Sequence, residues 1–120
     1  MRRKYLSLAR EVLRKGCDKG LLEALTLLKA SFPQKSESWF LRALARYLAG
    51  IRKVSYNHWL VPGLPELRDT RPWYNVWLRD GTYRCDCYAR LYGKTREKSV
   101  CTHVAAVMLA RRHERITKWM

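Results

Sequence analysis

Cys85-Asp86-Cys87 and, after a basic stretch, Cys101-Thr102-His103 bring three thiols and one imidazole into one short span of the chain. Those ligand types suit a zinc ion closed by four side chains, with Zn–S near ~2.3 Å and no position left open for a substrate. The expected cofactor is therefore one structural Zn2+. The single residue between Cys85 and Cys87 makes a tighter bite than most zinc sites show. A strand accommodates it, because residues i and i+2 point the same way. Cys101 and His103 would reach the same ion where the chain enters a helix, with Thr102 as its cap. The competing uses of these cysteines are disulfides or inert buried thiols, and ligand type together with spacing favours the metal. Cys17 is left over, as a free thiol beside Gly16.

C-x-C, a loop, C-x-H and then Ala106 together resemble the SWIM zinc finger. Cys85, Cys87, Cys101 and His103 fall on its four ligand positions, and Ala106 falls on the alanine of the extended form found in Shu-complex SWIM proteins. Trp59-Leu60-Val61-Pro62-Gly63 and Tyr74-Asn75-Val76 resemble the two short strands that precede the cysteines in that family, so the likeness covers about residues 55–112. It implies an accessory protein of DNA recombination and repair that binds a RecA-fold recombinase paralog and DNA. Ala106 and Trp73 are the candidate contacts to that partner. The alternatives are a free-standing DNA- or RNA-binding regulator, from a mobile element or virus, and a purely protein-binding adaptor.

The charge points toward a polyanion. Lys and Arg number 25 against 10 Asp and Glu, a formal net charge of +15 on 120 residues, and such a field draws nucleic acid. A chain of this length buries one modest core, for which a metal is a useful staple. No Gly-rich phosphate loop, Walker lysine, nucleophile elbow or convergent carboxylate pair is present. The H-x-E and P-C-x-x-C pattern of zinc deaminases is also missing. A binding module is expected, not an enzyme. Met1-Arg2-Arg3-Lys4 begins like a signal peptide, but Ser7, Arg10, Glu11 and Arg14 interrupt any apolar region. No run of about 18 apolar residues occurs either. These features predict an intracellular protein, cytoplasmic or nuclear, without membrane contact.

Positioning the ligands falls to an α+β chain, read as a helical region over 1–54 and a SWIM zinc-finger domain over 55–120. Leu6, Ala9, Val12 and Leu13 repeat at helical spacing up to Gly16. Asp18 then caps a helix carrying Leu21, Leu22, Leu25 and Leu28, which Phe32-Pro33 ends. Ser36 caps a third helix with Phe40, Ala43, Leu44, Tyr47, Leu48 and Ile51 inward. Arg42, Arg46 and Lys53 fall opposite that stripe, as a solvated row or a phosphate contact. The three helices are expected to pack on a small antiparallel hairpin and a final helix.

Trp73 to Cys87 reads as that hairpin, turning at Asp80-Gly81. The register pairs Arg79 with Thr82, Leu78 with Tyr83, Trp77 with Arg84, Val76 with Cys85 and Tyr74 with Cys87. Tyr74, Val76, Leu78, Tyr83, Cys85 and Cys87 then share the face toward metal and helix, leaving Trp73, Trp77, Arg79 and Arg84 on the other. The N-terminal helices are expected to cover the two tryptophans, which are costly to expose. Left open, Trp77 and Arg84 would stack on a base or anchor a protein. Arg90, Lys94, Arg96 and Lys98 lie between the ligand pairs and are the first choice for phosphate contact. Arg111 and Arg115 of the final helix extend that basic surface. His58 and His113 are assigned no metal.

Overall fold

The computed structural model describes residues 4–16, 19–87 and 100–118. Leu6 and Ala9 are buried on α1 (Lys4–Lys15), which stops at Gly16 in the left-handed region, φ 88°. Helix α2 (Lys19–Ser31) buries Leu21, Ala24, Leu25 and Leu28. Leu22, grouped with them from the sequence, is 41% exposed, because one residue along a helix turns the side chain roughly 100° away from its neighbour's face. Asp18 lies outside the described residues. Ser36 does cap α3 (Glu37–Leu48), its hydroxyl accepting from the Trp39 amide at 3.1 Å.

Four antiparallel strands follow in the order β1 (Arg52–Ser55), β2 (His58–Pro62), β3 (Trp73–Arg79) and β4 (Thr82–Cys85). The first was missed because all four of its residues are exposed, so no alternation marks it. Asp80 (φ 51°) and Gly81 (φ 77°) both take left-handed backbone, as a two-residue turn matched to strand twist requires. The expected hairpin register holds from Arg79 and Thr82 down to Val76 and Cys85. The fifth pair, Tyr74 with Cys87, does not form. Asp86 breaks the ladder instead: its amide donates to Asn75 O at 3.1 Å, and its Oδ1 accepts from the Asn75 amide at 3.0 Å.

Helix α4 (Thr102–Lys118) lies between the helices and the sheet. Its Ala105 and Leu109 join the cluster formed with Leu28, Phe40, Ala43 and Leu44. Val104 and Val107 join a second cluster with Trp59, Val61, Tyr74 and Val76. Among the described residues the sheet therefore has one packed face and one open face. This corrects the expectation that the N-terminal helices cover the tryptophans: Trp73 is 38% exposed, beneath the Arg52 guanidinium at 5.2 Å. Trp77 is half-buried, stacked on His58. The reason lies in the cysteines. Cys85 points inward from β4, and Cys101 and His103 lead α4 to the same side, so the helices that pack on α4 follow it there.

The β2–β3 connection is tied down at two points. In a single 3-10 turn, Pro65–Leu67, the Glu66 carboxylate accepts from the Tyr5 and Leu6 amides, each at 3.1 Å. It thereby satisfies open donors at the start of α1. At Gly63 a Cβ would sit 1.8 Å from Arg71 O, while the Gly63 amide donates to Pro72 O at 2.7 Å. Gly63→Ala is expected to destabilise the fold by about 1–3 kcal/mol through overpacking, read as a lower urea midpoint. An unchanged midpoint would mean that Arg71 and Pro72 yield freely. Among the described residues, no helix is long and apolar enough to cross a membrane.

Candidate metal centre

The ligand set forms where β4 ends and α4 begins. Cys85 closes β4 facing inward, and the Cys87 amide donates to Cys85 Sγ at 3.4 Å. Asp86 between them is fixed from outside: Asn75 Nδ2 donates to its Oδ2 at 2.9 Å, and Arg71 Nη2 donates to its backbone oxygen at 2.7 Å. On the helical side Cys101, not Thr102, occupies the cap position, its carbonyl accepting from the Ala105 amide at 3.0 Å. The three thiols are free, and the candidate ligand atoms of Cys85, Cys87, Cys101 and His103 all lie within 4.8 Å of one another. No two of these three sulfurs are joined in a disulfide. The cluster can hold a metal ion.

No family model, curated protein or solved structure matches this chain. The side chains themselves have to show whether an ion fits, and two features say that it does. Both nitrogens of the buried His103 ring lack a hydrogen bond among the described residues. Nε2 comes to 3.4 Å from Asp69 Oδ1, near enough for attraction but not aligned as a hydrogen bond, which leaves Nδ1 for an ion. The second feature is the crowding of sulfur. Hydrogen bonds with Cys101 and Cys87, then burial, push the Cys85 thiol up, while Cys85, Cys87 and His103 draw the Cys101 thiol down. One sulfur can ionise at its neighbours' cost; a bound cation would let all of them do so.

Beneath the ligands runs a buried polar chain that no spacing in the sequence announced. Arg46 was read as part of a solvated row, yet its side chain is 4% exposed. Its Nε donates to Thr102 Oγ1 at 2.8 Å, Nη2 donates to Asp69 Oδ1 at 3.3 Å, and Nη1 donates to Asp69 Oδ2. Asp69 Oδ2 also accepts from the Leu64 amide at 2.8 Å. Burial works against the Asp69 charge, but His103, Arg46 and Leu64 outweigh it and hold the carboxyl at about 2. Burial likewise opposes charge on His103, and Asp69 with the Cys101 and Cys87 thiols overcomes it, raising the imidazole to about 10. Tyr74 stacks on that ring at 4.2 Å between centroids. The run Ala43, Leu44, Ala45, all buried, was the available sign that α3 is enclosed on several sides at Arg46.

The other sequence candidates scatter. Arg90, Lys94, Arg96 and Lys98 lie outside the described residues. Arg84 is exposed across from the half-buried Trp77, and Arg115 is exposed on α4. Arg111 instead lies over the Trp59 ring at 5.3 Å and donates to the Tyr83 hydroxyl, shielding the edge of the core. Ala106 is fully buried, so it offers a partner no surface, whereas Trp73 does. His58 and His113 engage Asn75 and Tyr47, away from the thiols.

Proposed function

We propose that this chain is a SWIM-type zinc module, with one structural Zn2+ held by Cys85, Cys87, Cys101 and His103. We propose further that it serves DNA recombination and repair as a nucleic-acid-binding accessory of a RecA-fold recombinase paralog. The observation that carries the reading is the buried cluster of three thiols and one imidazole. Sulfur and nitrogen ligands in a closed set of four suit zinc in a structural role, with no open position for catalysis. The SWIM arrangement draws support from β2 and β3 ahead of a ligand pair at a strand end, and from a second pair at a helix entrance. The net charge of +15 supports a polyanionic partner.

Metal analysis of the purified chain should return one zinc per chain. Affinity for a DNA oligonucleotide should fall steeply as salt rises, since each neutralised phosphate releases counterion. Near-flat salt dependence, or no binding at moderate salt, would replace this reading with the protein-binding adaptor. Affinity capture from cells should bring down a RecA-fold ATPase; its consistent absence, with DNA binding intact, would favour a free-standing regulator.

A further inference from the structure

Strand alternation and register bring Arg52, His58, Trp73, Trp77, Arg79 and Arg84 to the sheet face opposite α4. Trp77 lies across from His58 on one neighbour and from Arg84 on the other. These rings are held in place. His58 stacks on Trp77 with centroids 5.2 Å apart and planes 17° from parallel, and His58 Nε2 meets Asn75 Oδ1 at 2.7 Å. Asn75 in turn holds Asp86, so the aromatic surface is braced by the residue between the first two cysteines. Beside Trp77, Arg79, Arg84 and Cys85 line a groove of about 340 Å³. That lies at the small end of the range for ligand sites, roughly 300–1,000 Å³.

The charge of this face is one-sided. Arg52, Arg79 and Arg84 are exposed upon it. Of the nearby carboxylates, Asp86 is engaged by Arg71 and Asn75, and Asp80 lies at the hairpin tip. Ordered indoles among arginines, neither of them buried among the described residues, match a chain that offers flat rings and phosphates together. Duplex DNA does not offer its rings, because each base face is already stacked. Its major groove admits a helix or a two-stranded ribbon, and a four-stranded sheet is wider.

We propose that this open face binds single-stranded nucleic acid, with Trp73 and Trp77 stacking on bases and Arg52, Arg79 and Arg84 pairing with phosphates. The two indoles stand four residues apart on one strand, about 13 Å, and so contact separate nucleotides. The proposal rests on the nucleic-acid reading above and adds the surface and the strand form.

The test uses the full zinc-loaded chain and labelled oligothymidylate, alone and paired with oligodeoxyadenylate. Two double variants are compared with the wild type: Trp73→Ala with Arg84→Ala, and Arg52→Ala with Arg79→Ala, which keeps every indole. Zinc content and circular dichroism identify the folded variants. Each pair should lower affinity for the single strand about tenfold or more. Binding should quench indole fluorescence in the wild type, and less so without Trp73. The wild type should prefer the single strand to the duplex. Folded variants that keep wild-type affinity would overturn the platform while leaving nucleic-acid binding in place, and so would a preference for duplex. Failure of the wild type to bind either form at low salt would remove the parent reading, and this one with it.

Discussion

With zinc in the cluster as proposed, Cys101→Ala is expected to release it and to unfold far more than the segment around it. In small zinc domains the apparent binding free energy, about 10–16 kcal/mol at neutral pH, is folding free energy, because the site does not exist in the unfolded chain. Here the ligands join β4 to the first turn of α4. That helix supplies Ala105 and Leu109 to one buried cluster and Val104 and Val107 to the other. Freed from the sheet, it loses the contact that aligns both. Cys101→Ala should therefore show no bound zinc, a broad or absent thermal transition, and lost near-ultraviolet dichroism from the buried Trp39 and Trp59. Stripping the wild type with a chelator should reproduce that state. Lys94→Ala with Arg96→Ala should retain both zinc and the transition. A Cys101→Ala protein that melts like the wild type would mean that the metal is not structural.

The parts of this molecule legible in the sequence are those that local chemistry dictates. Asp80-Gly81 sets the hairpin register, and that register sorts Cys85 from Arg84 without reference to anything distant. The four candidate ligands could be read for the same reason, each pair being separated by one residue. What remained hidden depends on partners far along the chain. Glu66 meets Tyr5 and Leu6 across some sixty positions, and Arg46 meets Thr102 across 56. An arginine opposite an apolar stripe reads as solvated unless something shows that another helix covers it. The open tryptophan face was misjudged through an average cost for exposed indoles. That cost is reduced here by Arg52 over Trp73 and His58 against Trp77. The covered face is the one onto which Cys85, Cys101 and His103 converge and against which α4 packs.

Arg46→Ala is expected to destabilise the fold by about 3–5 kcal/mol, the cost of stranding one partner of a buried ion pair. Asp69 would lose both guanidinium hydrogen bonds and remain buried with the Leu64 amide as donor. Asp69→Asn strands Arg46 in the same way and also removes the anion beside His103 Nε2. The two variants should therefore differ at the metal. Losing a carboxylate that orients a ligating imidazole typically weakens metal binding about 10–100-fold, so Asp69→Asn should give up zinc to a competing chelator more readily than Arg46→Ala does. In the double variant Arg46→Met with Asp69→Asn no charge is stranded, and its destabilisation should fall well short of the sum of the single losses. Urea unfolding of the three variants, with chelator competition on each, separates the contributions. Additive stability losses would mean that Arg46 and Asp69 act independently. Equal zinc loss in both single variants would mean that Asp69 serves the site only through the stability of the fold.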